Sequence, residues 1–297
     1  MPPRDLLLVL LICLAWAGNF LTSAFALREI PPLMFTAVRM CMLAIVLVAF
    51  IKRPPRGQWP LLAAVAVCNV VLHFGLSFWA LKLSGDVSSP AIVMQSYVPM
   101  SAVLAWAVLG ERFGWRTGAA IAISFSGVLV LGFDPLVLDK PVALLLMLVS
   151  SAFLAIGTVL MRQLSGIGMV SQQGWSALIA IGPLLALSAA LEPGAVDAVR
   201  AASWIGWGGA AYSALAASLL GHGLYYVLVQ RHPVARITPW LLLTPVLAVL
   251  LGVLVWGDRP GPQLWIGGAM VLGGVLLIAL RTMAKARAVG VLPPAGI

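Results

Sequence analysis

The sequence predicts an all-α polytopic membrane protein with ten transmembrane helices in two inverted repeats of five. Three observations predict this. Composition is the first: 62% of the 297 residues are apolar and 9% charged, at a mean hydropathy of +1.07, where a soluble domain carries about 25% charged residues. A water-soluble fold of this length cannot hide so much apolar surface, so the bilayer is its natural solvent. The second is that the apolar residues fall into runs of spanning length, roughly 17 to 25 residues each. The third is a pattern that occurs twice. Pro99 opens an apolar segment ending in Gly110-Glu111-Arg112, and a second run ends at Gly127-Val128-Leu129. Pro245 opens another ending in Gly257-Asp258-Arg259, and its second run ends at Gly274-Val275-Leu276. The acid-to-glycine distance is the same in both copies, and one gap aligns the rest.

Cut at turn and charge signals, the runs are 6–26, 33–51, 59–81, 87–109, 116–133, 141–161, 170–190, 203–229, 235–256 and 263–281. The linkers are short and rich in Pro and Gly, the usual helix stops. Residues 1–133 and 134–287 form the two repeats, and 288–297 read as a disordered tail. The first run contains Ala24-Phe25-Ala26, the small-x-small form of a signal cleavage site. It is longer than a typical signal h-region and contains the pair Gly18-Asn19, so it is expected to stay as the first helix.

Orientation follows from the positive-inside rule. With the N-terminus in the cytoplasm, the inner side collects Arg4, Lys52, Arg53, Arg56, Arg112, Arg116, Arg162, Arg231, Arg236, Arg281, Lys285 and Arg287. The outer side collects only Arg28, Lys82, Lys140, Arg200 and Arg259, and both termini are then cytoplasmic. The Glu111 turn lies inside and the Asp258 turn outside, so the second five helices are upside down relative to the first. The net charge of +9 belongs to this topology and forms no basic face for nucleic acid. Cys13, Cys41 and Cys68 lie in apolar runs without metal-ligand spacing and read as packing residues, with no cofactor or metal implied.

Several residues also resemble a known family. Trp16-Ala-Gly-Asn-Phe20, Pro31-Pro32 with Arg39, Phe78-Trp-Ala-Leu81, Pro99, Leu109-Gly-Glu-Arg112 and Gly127-Val128 stand in the order seen in the ten-helix, EamA-type branch of the drug/metabolite transporter superfamily. The second half repeats the pattern more loosely with Tyr225-Tyr226, Pro245 and Gly257-Asp-Arg259, with Asp258 where Glu is usual. Within that branch the chain is most similar to bacterial exporters of aromatic amino acids and related amphipathic metabolites. The resemblance implies a carrier of small molecules in the bacterial inner membrane, with a central cavity lined by helices 1, 3, 4, 6, 8 and 9. It also implies alternating access produced by two near-equivalent halves.

Polar groups in lipid are costly and usually face an interior. The mid-span polar residues are Asn19, Asn69, His73, Gln95, Ser96, Ser150, Ser151, His222 and Thr244, with no Asp or Glu among them. That absence speaks against carboxylate-based proton coupling. His73 and His222 occupy corresponding helices and suit either substrate contact or a bond to a neighbouring helix. Pro99 and Pro245 break one backbone hydrogen bond each at equivalent places. They are candidate gate hinges, with Gln95 and Tyr97 beside the first. Trp16 and Trp79 lie deep, and with Phe78, Trp175, Tyr225, Tyr226 and Trp240 they offer walls for a planar or apolar substrate. Arg39 is the one charge well inside a span and is expected to snorkel or to bond helix-end carbonyls, with direct contact to a substrate carboxylate the lesser alternative. The Gly-acid-Arg turns read as capping pairs at their own helix ends. Gly118, Gly127, Gly267, Gly268, Gly273 and Gly274 suggest close contact of helices 5 and 10, or support for a weak dimer.

Two other functions stay open at this point. A membrane enzyme such as a lipid-linked transferase needs clustered acids or a nucleophile, and the nine acids here stand singly. A channel or scaffold, or an exporter of unrelated hydrophobic drugs, also fits the bundle. No phosphate-binding GxxxxGK[ST] loop is present, which argues against ATP coupling.

Overall fold

The computed structural model describes residues 2–232 and 234–288, and the tail from 289 lies outside them. All regular structure among these residues is helical. Nine helices are long and apolar enough to span: α1 (Pro3–Ala26), α2 (Pro32–Phe50), α3 (Trp59–Ser84), α4 (Ser88–Leu109), α6 (Pro141–Met161), α7 (Met169–Leu191), α8 (Trp204–Arg231), α9 (Arg236–Trp256) and α10 (Pro262–Ala288). α5 (Trp115–Leu131) is apolar but shorter. Proline opens α1, α2, α6 and α10, where its missing N–H leaves no bond unmade. A short helix, Ala195–Ala201, adds to the expected set between α7 and α8. Its charged residues Asp197 and Arg200 hid it in a stretch that read as linker.

The two repeated turns share one geometry. Gly110 and Gly257 both take left-handed φ values, +67° and +89°. The next amide reaches back six residues in each: Glu111 N to Ala105 O, 3.2 Å, and Asp258 N to Gly252 O, 2.9 Å. This is the glycine-closed C-cap in both halves. Packing shows the same two-fold relation. α2 lies on α7, α4 on α9 and α5 on α10, while α1 lies on α8 and α3 on α6. Exchanging the halves maps the first three pairs onto themselves and the last two onto each other.

α5 and α10 make the closest contact. A Cβ on Gly127 would lie 2.6 Å from Gly267 O, and one on Gly274 would lie 2.6 Å from Ala120 O. Side chains cannot yield there, because the obstacle is backbone. Gly118 and Gly273 do not share this role, as Gly273 faces open space and Gly118 meets only the Phe113 ring edge.

The central helices are interrupted at matching places. Wide π-turns occupy Val67–Leu72 in α3 and Tyr212–Gly221 in α8, immediately before His73 and His222. In α4 a tight 3-10 turn, Met94–Ser96, precedes Pro99, and α9 breaks at Leu242 just before Pro245. π-turns leave carbonyls without their usual helical partner and often mark functional sites.

Candidate functional site: a central polar seam and two unequal faces

The α8 π-turn supplies the site's first anchor. Ala217 O accepts from Trp16 Nε1 at 3.1 Å and contacts His222 Nδ1 at 3.1 Å. The Trp16 ring centre lies 5.2 Å from His222 and 6.1 Å from Tyr225. Trp16, His222 and Tyr225 therefore gather where α1 and α8 meet. Tyr97 of α4 is half-buried, and its backbone carbonyl accepts from Ser101 Oγ at 2.7 Å.

His73, the counterpart of His222, is held differently. It is buried, its Nδ1 is 2.8 Å from Ser150 Oγ, and the same hydroxyl donates to His73 O at 2.9 Å. That hydroxyl proton is committed, so His73 Nδ1 donates. The pair fastens α3 to α6.

The remaining predicted residues are dispersed. Phe78 is buried edge-on to Phe35 and stacked with Phe74. Trp79 is half-buried against the α2–α7 core. Gln95 is buried, as are Pro99 and Pro245. Asn19 is half-buried and accepts from Ser23 Oγ at 3.4 Å. Trp240 is exposed, and Tyr226 is exposed into a cavity. Trp175 lies away from the seam. It stacks edge-on with Trp59 and donates to Lys52 O at the end of α2.

Arg39 departs from expectation. It neither snorkels nor reaches helix-end carbonyls, being 1% exposed. Its Nη2 donates to Ser218 Oγ at 2.7 Å, and its guanidinium lies 4.2 Å from the Phe74 ring centre and 5.4 Å from that of Phe78. Nε and Nη1 have no partner.

The two faces of the bundle differ most. On the face opposite the N-terminus, carboxylates cap distant helices, three of them belonging to the other half and the fourth, Asp134, standing at the junction of the halves. Asp258 accepts from Val87 N at 3.0 Å, Ser88 N at 2.9 Å and Ser88 Oγ at 2.6 Å, at the start of α4. Glu192 accepts from Leu33 N at 2.8 Å and Met34 N at 3.0 Å, at the start of α2. Glu29 takes Ser203 N and Oγ at the start of α8, at 2.6 and 2.7 Å. Asp134 takes Leu264 N at the start of α10, at 2.8 Å. Each cap satisfies amide donors that a helix start leaves open and places negative charge at the positive end of the helix dipole. Trp256 completes the closure. It donates to Gly85 O at 2.9 Å, packs on Phe25 and carries the Arg28 guanidinium at 4.1 Å.

Beside the α4 cap sits Asp86, which accepts from Ser89 N at 2.7 Å. Burial pushes its carboxyl up to about 7, Asp258 adds to that rise, and the Ser89 bonds and Lys140 oppose it.

The N-terminal face is looser. Every residue from Trp106 to Arg116 is exposed, and Glu111 pairs with Arg162 at the surface. Asp5 alone is buried there, between Arg231 at 3.0 Å and His232 at 2.7 Å. A cavity of about 390 Å³ opens on this face, lined by Phe50, Lys52, Arg53, Ser171, Gly223 and Tyr226 among others. Sequence reading missed the cross-half caps, since each acid stands singly beside its own helix. The signal available was their distribution: seven of the nine acids (Glu29, Asp86, Asp134, Asp139, Glu192, Asp197 and Asp258) fall between the spans on the capped face.

A two-fold-repeated bundle with interrupted helices meeting at a central seam, closed on one face and open on the other, is the build of a secondary transporter. The chain belongs to the EamA-like transporter family, whose model matches residues 4–133 and again 141–280. It is 26% identical over 292 residues to a probable amino-acid metabolite efflux pump of Escherichia coli (strain K12), covering 93% of this chain and 95% of that one. It is 27% identical to a probable terminal-alkyne amino-acid exporter of Streptantibioticus cattleyicolor, covering 80% of this chain and 78% of that one. A solved crystal structure superposes with a TM-score of 0.64 at 18% identity, covering 96% of this chain and 99% of that one, and shares the fold.

Proposed function

We propose that the protein exports amino acids, aromatic ones foremost, and similar small amphipathic metabolites across the bacterial inner membrane by alternating access. The observation that carries this is the unequal use of one repeated turn. The Asp258 copy is buried and caps α4, whereas the Glu111 copy is exposed and caps nothing. Two symmetric halves in unequal contact describe one of two exchangeable arrangements. In the exchanged state Glu111 caps the start of α9 and Asp258 releases α4. Both termini are cytoplasmic, as the distribution of Lys and Arg supports, so the cavity opens inward here. The halves 1–133 and 134–287 rock about the α5–α10 contact, with the helix breaks before Pro99 and Pro245 absorbing the change. Gly127, Gly267 and Gly274 are spent within the chain, between α5 and α10, which supports a monomer as the working unit.

The aromatic preference rests on the Trp16, His222 and Tyr225 cluster. No Asp or Glu lies mid-span, so transport needs no carboxylate-borne proton. The names of the two relatives support the substrate class. Counterflow of labelled phenylalanine, tryptophan and threonine into liposomes, without an ion gradient, tests the proposal. Saturable exchange, fastest for the aromatic pair and lost in Trp16→Ala, is expected. Absence of exchange for all three would remove the amino-acid reading.

A further inference from the structure

Resting on the carrier reading above, we propose that Arg39 is the carboxylate-binding residue of the transport path, so that the substrates are amphipathic molecules bearing a free carboxylate. Arg39 is a fully buried cation without a counter-charge. No acid lies mid-span, and its one hydrogen bond is to a neutral hydroxyl, Ser218 Oγ. Nε and both hydrogens of Nη1 stay unpartnered. A buried, unpaired guanidinium is among the costliest arrangements a membrane protein can hold. An arriving carboxylate removes that cost with two parallel hydrogen bonds, the geometry for which guanidinium is shaped.

Placement supports the assignment. Arg39 belongs to the first half and its partner Ser218 to the second, so an anion bound here sits between the halves. Ser218 lies beside Ala217, whose carbonyl holds Trp16, and one turn from His222. A carboxylate on Arg39 therefore leaves the rest of the molecule against Trp16, His222 and Tyr225. Along α8, Tyr226 and Gly223 line the cavity, His222 follows, and Ser218, the partner of Arg39, stands four residues further on. Lys52 and Arg53 at the cavity wall attract the same charge. The Phe74 and Phe78 rings hold the guanidinium plane while its free N–H groups remain available.

The test uses probe pairs that differ only in the carboxylate. Purified protein is titrated with phenylacetate and phenylacetamide, and its thermal midpoint is followed. Wild type is expected to be stabilised by phenylacetate at least tenfold more potently than by phenylacetamide. Arg39→Met should abolish that preference while its own ligand-free midpoint stays at or above wild type, since an unpaired buried charge has been removed. Arg39→Lys should keep a weakened preference. In liposomes, phenylalanine counterflow should fall at least tenfold in Arg39→Met, and phenylalaninamide should exchange poorly with wild type and variant alike. Equal stabilisation of wild type by both probes overturns the proposal, as does a lowered ligand-free midpoint with the carboxylate preference intact, which would make Arg39 structural. If the thermal preference holds but neither amino acid nor amide is carried, the transport reading fails and the carboxylate site stands.

Discussion

The Gly-acid-Arg turn after α4 and the one after α9 have the same backbone, the same left-handed glycine and the same six-residue back-bond, yet opposite surroundings. Asp258 is buried and holds three donors at the start of α4, and Trp256 before it is wedged against Phe25, Arg28 and Gly85. Glu111 and Leu109 are exposed. A repeated local structure therefore does not fix its own role. What decides it is which helix start the other half presents, and only one face presents one here. Under the alternating access proposed above, the two turns are the two ends of one switch. Such a switch also explains why a single chain holds a closed face and a cavity of about 390 Å³ at once.

The largest effect is expected where the halves do not differ. Gly127→Val drives a side chain into the Gly267 carbonyl, and overpacking against backbone costs upward of about 3 kcal/mol. Thermal unfolding should show a sharply lowered midpoint, and a similar loss for Gly274→Val would mark the α5–α10 contact as the shared, static part of the molecule. Next comes Asp258→Ala, which leaves the Val87 and Ser88 amides without their acceptor. The expected loss is about 2–3 kcal/mol, with faster labelling of a cysteine at Ser88 by an impermeant maleimide from the capped face. A labelling rate equal to wild type would dissolve the distinction between the faces.

Asp86 gives a pH dependence of smaller size. Its carboxyl titrates near 7 in the folded state, above the ordinary value of about 3.9. A folded value raised above the unfolded one means that protonation favours the fold. Its contribution is whole below about pH 4 and is lost as pH rises to about 7. The midpoint of wild type should therefore fall over that interval by more than that of Asp86→Asn. The smallest effect belongs to Glu111→Gln. An exposed ion pair contributes ~0–1 kcal/mol, so stability should hardly move, while exchange in liposomes should slow, because the lost carboxylate serves the other state.

Most of the fold was legible in the sequence. Ten apolar runs, Pro and Gly stops and the duplicated turn follow from bilayer physics acting on local composition. The helix breaks before Pro99 and Pro245 sit where proline removes a backbone bond. The site was legible only in part. Trp16 and His222 were visible as polar or aromatic residues deep in spans, but their meeting at Ala217 O depends on a π-turn that no local pattern announces. The caps were hidden for a related reason. Glu192, Glu29, Asp134 and Asp258 serve helices more than a hundred residues away in sequence, and only the interlocking of the halves brings them there. Arg39 read first as a charge to be tolerated and only secondarily as a contact for a substrate carboxylate, and burial without a counter-ion reverses that order.

The most direct test of the switch is a pair of distances measured by double electron–electron resonance on cysteine-free protein. One spin-label pair at Lys82 and Arg259 spans the capped face, and one at Arg112 and Arg236 spans the open face. In Asp258→Asn the first distance should lengthen and the second should shorten, as the open face closes on Glu111. If both distances stay unchanged, or both lengthen together, the two turns are not ends of one switch, and the alternating reading of the halves is wrong.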